Sequence, residues 1–214
     1  MREKWRSLRE DEKPVYSENA EEQERQLQSD EQLHDFRRLR RSLQNDPFRP
    51  VYHFVRPSGS INDPNGLCFW NNRWHLFYQA WQPETIHWGH AVSDDMIYWR
   101  DLPYAIYPKH ETHCFSGATC VDEENHRVIA AYYGYTGYDL KTGYQCGIVL
   151  ATSSDPLLLN WKKINDGLPV IPDRDARCWT PPDTPPVPGQ KTYQVFDPYI
   201  WKEAGTYWLL TGGY

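Results

Sequence analysis

The pattern of polar and apolar positions in this chain changes period once. Over residues 18–44 apolar side chains are few, and Phe36, Leu39 and Leu43 recur at helical spacing. Ser17 or Asn19 stands where a helix is capped, and Glu21, Glu22 and Glu24 follow in the first turn. Arg37, Arg38, Arg40 and Arg41 crowd the other end, an order of charges that complements the helix dipole. This predicts one helix over 18–44 whose last turns dock on the rest of the chain. Asn45-Asp46-Pro47 stops it, because a residue before proline avoids helical angles.

From Val51 onward short β-branched and aromatic runs alternate with turn residues. Runs at 67–70 and 73–79 flank Asn71-Asn72, a pair suited to the positive φ of a tight hairpin. Runs at 89–93 and 97–100 flank Asp94-Asp95, and runs at 118–121 and 127–133 flank an Asp-Glu-Glu-Asn turn. A run at 147–152 is followed by one at 157–163, and 199–201 and 206–210 flank a turn at 202–205. The runs repeat in order. Ser93-Asp94-Asp95-Met96-Ile97-Tyr98-Trp99 is echoed by Ser154-Asp155-Pro156-Leu157-Leu158-Leu159-Asn160-Trp161, and Asp63-Pro64 by Asp197-Pro198. Asp94 and Asp155 read as turn residues. Trp70, Trp99, Trp161, Trp201 and Trp208 fall at equivalent positions and read as core. Four short antiparallel strands in each roughly 65 residues is the arithmetic of a β-propeller blade, with a β-sandwich as the alternative. Residues 62–214 supply about two and a half blades where a closed ring needs about 4–8, so the chain is expected to be the N-terminal part of a longer protein.

Composition sharpens the boundary. Residues 1–45 hold 10 basic and 11 acidic residues and only three aromatics, and read as a charged, mainly helical extension that buries little. Residues 46–214 hold the other 29 aromatics and must build the core. Lys and Arg number 23 against 29 Asp and Glu, a balance that argues against a nucleic-acid binder and makes the Arg37–41 cluster a solvated helix end. No apolar run is long enough to span a membrane, and no secretory leader is expected from residues 1–6. The five cysteines are odd in number and scattered, so reduced thiols in a cytoplasmic protein are expected. His87/His90 and His110/His113 are spaced three apart, but on strands such pairs point to opposite faces, so no metal or cofactor is expected.

The most informative stretch is Asn62-Asp63-Pro64-Asn65-Gly66. Asp-Pro and Asn-Gly both favour turns, so a plain turn is one reading. The other is a sugar site. Trp74, Phe77, Tyr78, Gln79, Trp81 and Trp88 follow, and flat rings beside amides and carboxylates suit the apolar faces and hydroxyl rim of a carbohydrate.

Here the sequence resembles glycoside hydrolase family 32, the β-fructofuranosidases. The resemblance starts near Arg49-Pro50-Val51-Tyr52-His53-Phe54 and runs through Asn62-Asp63-Pro64-Asn65-Gly66-Leu67, His75-Leu76-Phe77-Tyr78-Gln79 and Trp88-Gly89-His90-Ala91-Val92-Ser93-Asp94-Asp95. Leu102-Pro103-Tyr104-Ala105-Ile106-Tyr107-Pro108 and Cys114-Phe115-Ser116-Gly117 follow in order. The resemblance implies an all-β, five-bladed propeller and retaining hydrolysis of β-fructofuranosyl linkages in sucrose, sucrose 6-phosphate or short fructans. It makes Asp63 the nucleophile that forms a covalent fructosyl-enzyme, and Asp197 the carboxylate that holds two ring hydroxyls without transferring a proton. It places Asn62, Gln79 and Ser116 around the fructose and Phe115 on the pocket wall.

Three departures accompany it. Phe196 stands where the family has the Arg of Arg-Asp-Pro, and a phenyl ring has none of the hydrogen bonds of a guanidinium. The segment between Gln79 and Trp88 is short and lacks the family's additional Trp-Gly, so Trp81 is the candidate for that aromatic wall, and Trp81 and Trp88 are the tryptophans expected to contact sugar. The family's general acid/base, a Glu in a Glu-Cys motif, has no counterpart in these residues. Glu84, Glu111 and Glu203 sit in turn-like contexts and read as solvated. The expectation is a β-fructosidase part that is inactive alone, acting with a small carbohydrate, no nucleic acid and no membrane. A propeller that binds sugar without cleaving it is the alternative.

Overall fold

A computed structural model describes residues 9–50, 52–57, 59–136, 146–173 and 193–213. Residues 1–6, Val51, Cys178 and Tyr214, which enter the sequence reading, lie outside them.

The N-terminal region forms two helices rather than one, α1 (Ala20–Gln28) and α2 (Glu31–Ser42). Asn19 caps α1 by accepting the Glu22 N–H. Asp30, mid-helix in the sequence reading, accepts the Leu33 N–H at 2.9 Å and restarts the helix as a second N-cap. The extension also buries more than its charge suggests. Leu33 and Phe36 pack with Tyr78, Tyr104 and Tyr107. Gln23 is fully buried and donates to Asp155 at 2.7 Å. Arg40 forks onto Asp101, and Tyr16 and Asn160 exchange two hydrogen bonds of 2.9 Å. These 9–45 contacts reach both the strand bearing Asp101 and the turn bearing Asp155, so the extension straps two parts of the sheet.

The rest is β. Strands β1 (Ile61–Trp70), β2 (Arg73–Trp81), β3 (Ile86–Ser93) and β4 (Trp99–Ile106) form an antiparallel meander, the first blade. Strands β5 (His113–Asp122), β6 (Arg127–Tyr135) and β7 (Gly147–Ser153) form the second, with β8 (Lys162–Lys163) and β9 (Ile171–Pro172) both paired to β7. Strands β10 (Val195–Glu203) and β11 (Thr206–Gly213) are a separate hairpin. The architecture is two propeller blades and the opening hairpin of a third. Asn71 and Asn72 take φ of 47° and 60°, the tight turn expected of them.

The run 157–163 is not a strand. Only Lys162 and Lys163 join the ladder, and the preceding residues wrap around the carboxylate of Asp155, which accepts the Leu157, Leu159 and Asn160 N–H groups. Asp95 does the same for Ile97 and Tyr98. The repeated turn is therefore Ser93-x-Asp95 with Ser153-x-Asp155, each serine hydroxyl bonding its aspartate. Asp94 is outside this pattern and pairs with Arg100 in solvent. Met96 and Leu158 both adopt positive φ, and Trp99 and Trp161 each donate an indole N–H to the carbonyl of that residue.

The main core gathers Trp70, Phe77, Trp88, Tyr132 and Trp161 between the blades. Of the tryptophans expected inside, Trp99 and Trp201 are half-buried and Trp208 is 50% exposed, so that reading holds for Trp70 and Trp161 alone. Cys68, Cys114, Cys120 and Cys146 are buried free thiols. No described helix is long and apolar enough to cross a membrane.

Candidate functional site

The opening strand of each blade carries the same irregularity. In β1 three residue steps from Ile61 to Pro64 face two on β2. In β5 the steps from Cys114 to Gly117 do so, and in β10 those from Phe196 to Tyr199. Such a bulge turns its extra side chain out of the ladder. The three bulges hold Asn62-Asp63, Phe115-Ser116 and Asp197-Pro198. By bulge position Asp197 corresponds to Asn62, and Ser116 to Asp63, so the repeated Asp-Pro is out of register by one residue. Asp197 reaches its place with φ of 48°, a left-handed angle uncommon for a non-glycine residue.

Together the bulges line one cavity of about 380 Å³. Asn62, Asp63, Gln79, Trp81, Phe115, Ser116 and Asp197 all border it, seven of the eight site residues read from the sequence. They are wired to one another. The Ser116 hydroxyl donates to Asp63 Oδ2 at 2.5 Å. The Gln79 amide nitrogen donates to Ser116 Oγ at 2.5 Å and lies 3.4 Å from the same Asp63 oxygen. Gln79 Oε1 accepts from Asn62 Nδ2 and from the Trp81 indole, each at 3.1 Å. Gln79 is 97% buried and fixed on both ends of its amide, so it sets the positions of the nucleophile candidate and the aromatic wall. Asp63 Oδ2 takes both bonds, leaving Oδ1 for a ligand. Burial and then the negative charge of Asp63 push the Asp197 carboxyl above its ordinary value.

Trp88 is the exception. It is fully buried on β3, packs against Phe77 and Tyr132 with ring centroids at 5.8 Å, and donates its indole N–H to the Phe115 carbonyl. β3 has strands on both sides and is buried on both faces, so its tryptophan is core and does not reach the cavity.

Three lining residues were not singled out as ligands. Tyr133 and Gln194 border the cavity beside Phe196. The Tyr133 hydroxyl donates to Asp173, which also accepts the Val195 N–H at 2.8 Å, and this pair ties the second blade to the start of β10. The signal for Tyr133 was register: it lies on β6 beside the bulge of β5 and its ring stacks in line with Phe115. The Phe196 ring packs over Gly212, where an added Cβ would come within 2.7 Å of it.

The glutamates separate. Glu84 and Glu203 are exposed. Glu111 is not solvated as its turn context suggested: it is 3% exposed and accepts from Lys163 Nζ and the Tyr132 hydroxyl, each at 2.7 Å. Burial alone would raise its carboxyl, but the Lys163 charge and these bonds hold it below the ordinary range. The histidine pairs diverge. His90 bonds His75 at 2.9 Å, His87 bonds Thr85, His110 meets the Asp166 carbonyl, and His113 stacks on Phe115.

Residues 53–214 match the Glycosyl hydrolases family 32 N-terminal domain. Escherichia coli sucrose-6-phosphate hydrolase is 34% identical over 183 residues, covering 77% of this chain and 32% of that protein. Bacillus subtilis levanase is 32% identical, covering 79% and 24%. A Bombyx mori GH32 β-fructofuranosidase, solved as a mutant in complex with sucrose, superimposes with a TM-score of 0.63 at 30% identity over 85% of this chain and 36% of its own. The chain thus spans about a quarter to a third of these curated relatives.

Proposed function

The chain belongs to glycosyl hydrolases family 32, and on that premise we propose that it forms the nucleophile side of a β-fructosidase site acting on sucrose, its 6-phosphate or short fructans. The observation that carries this reading is the convergence of Asp63, Gln79, Ser116 and Asp197 on one cavity from four separate strands. Asp63 Oδ1 attacks the anomeric carbon of a β-fructofuranosyl unit. The bond from that carbon to the leaving oxygen breaks as the ester bond to Asp63 forms, and water later cleaves the ester with retention. Ser116 and Gln79 hold the nucleophile by its other oxygen, so attack costs no reorientation. Asp197 accepts from ring hydroxyls and faces the positive charge that develops on the sugar ring. Trp81 and Phe115 cover the apolar face of the sugar.

The leaving oxygen requires a proton. Asp63 and Asp197 are the cavity's carboxyl groups among the described residues, and these 214 residues contain no Glu-Cys pair. The donor that retaining hydrolysis needs is therefore outside this set, and general acid assistance is worth about 10²–10⁴-fold. The test is fructose release by the full-length protein beside Asp63→Ala. Loss of several orders of magnitude in kcat is expected, and wild-type turnover by the variant would refute the assignment.

One observation favours a second reading. Phe196 borders the cavity where the family pattern has Arg, which suits a propeller that binds a fructoside without cleaving it. Calorimetric binding of sucrose by a full-length protein that releases no fructose would favour that reading.

A further inference from the structure

Arg56 enters no step of the proposed chemistry, yet its side chain is buried behind the cavity. It is 6% exposed, and among the described residues no carboxylate pairs with it. Its guanidinium is instead solvated by oxygen atoms from three segments. Nη1 donates to the Ser60 carbonyl at 2.6 Å, and Nη2 donates to the Trp81 carbonyl at 2.9 Å and to the Tyr104 hydroxyl at 3.1 Å. Ser60 immediately precedes β1 and the Asn62-Asp63 bulge. Trp81 ends β2. One rigid fork thus joins the backbone before the nucleophile candidate to the backbone of the aromatic wall.

The same knot anchors the short turn between β2 and β3. The Gln82 N–H donates to the Thr85 carbonyl, closing the turn, and Gln82 Nε2 donates to the Tyr104 hydroxyl at 2.6 Å. Tyr104 therefore accepts from both Arg56 and Gln82. Its ring is held in place by Phe36 of α2, with centroids at 5.7 Å. Trp81 itself is 47% exposed, with little packing on its outer side. Its indole is directed by its bond to Gln79 in front and by the fork on its carbonyl behind.

The geometry points to Arg56 as a positioning residue that fixes Trp81 in register at the cavity. This rests on the β-fructosidase reading only for its kinetic consequence; the positioning itself is independent of any reaction. Lysine cannot take over, because an ammonium is a point donor without the planar fork that spans two carbonyls. A buried charge-assisted bond is also among the stronger single contacts in a fold, so its loss is felt at both carbonyls.

The test uses the full-length protein and Arg56→Lys, Trp81→Ala and the double variant, with rates expressed per active site. Arg56→Lys is expected to lower kcat/KM for sucrose about 10- to 100-fold, mainly through KM, the scale of loss for a misplaced binding group. In the Trp81→Ala background the same change should cost less than about twofold, because the group it positions is gone. Full additivity in this cycle overturns the proposal. A merely structural role would lower the folded fraction and leave KM per active site unchanged, which also overturns it. If Arg56→Lys does not fold, Tyr104→Phe removes only the shared hydroxyl and should raise KM in the same direction; an unchanged KM refutes the inference. A protein that turns over no β-fructoside defeats the functional reading but not this one. There the ¹⁵N resonance of the Trp81 indole, assigned by its loss in Trp81→Phe, should shift in Arg56→Lys, and an unmoved resonance refutes the positioning role.

Discussion

Replacing Lys163 by Met tests the buried charge cluster around Glu111. Lys163 Nζ lies 2.7 Å from Glu111 Oε1, 3.0 Å from Glu10 Oε2 and 2.6 Å from the Tyr107 carbonyl. The side chains of Lys163 and Glu111 are 2% and 0% exposed, so solvent does not screen the pair. Methionine keeps most of the volume, and the cost of repacking stays below about 1.5 kcal/mol. The larger cost is the Glu111 carboxylate left without its cation, about 3–5 kcal/mol for breaking a buried pair from one side. Tyr132 and the Lys109 and His110 N–H groups still donate to Glu111, which favours the lower end. The assay is urea unfolding at pH 7 in the full-length protein. Glu111→Gln in the same background should recover a good part of the loss, because an uncharged amide no longer needs the cation. Lowering the pH should shrink the penalty as well, since the stranded carboxyl then takes up a proton. A loss below about 1 kcal/mol, or a double variant as poor as the sum of the singles, would refute the reasoning.

Trp88→Ala and Trp81→Ala should separate stability from binding. The first empties a fully buried site and should cost about 3–5 kcal/mol in unfolding, with KM of the remaining active sites unchanged. The second should raise KM about tenfold with less than about 0.5 kcal/mol lost in unfolding, and the opposite allocation would refute the placement of the two rings. Stability should also fall in mild acid. Burial pushes His75 down to about 4, and burial with the charges of Lys163 and Arg56 pushes His87 down to about 3. The unfolded chain then binds more protons below about pH 6.5, so each histidine's contribution is complete above that pH and drains away toward its folded value. For His75 this is roughly 3 kcal/mol, read as a Tm that drops between pH 7 and pH 4 and drops less in His75→Gln. An unchanged Tm over that range would refute it.

How far the sequence reached depended on the range of the interactions involved. The Asn71-Asn72 hairpin rests on local chemistry and was legible in two consecutive residues, the cap was narrowed to Ser17 or Asn19, and helical spacing marked Phe36 as a docking side chain without naming its partners. Seven of the residues that border the cavity were singled out because short motifs keep their order along the chain, although the motifs alone left a turn and a sugar site both open. The structure decided what depends on partners distant in sequence. Glu111 is buried because Lys163, 52 residues on, supplies its charge. Trp88 and Trp81 sit seven positions apart with the same chemistry. Strands on both sides of β3 bury the first, and the short turn leaves the second at the cavity. The bulges complete the division. Pairing steps cannot be counted from one strand, so the register that brings Asp63, Ser116 and Asp197 to one cavity exists only once β1, β5 and β10 have found their neighbours.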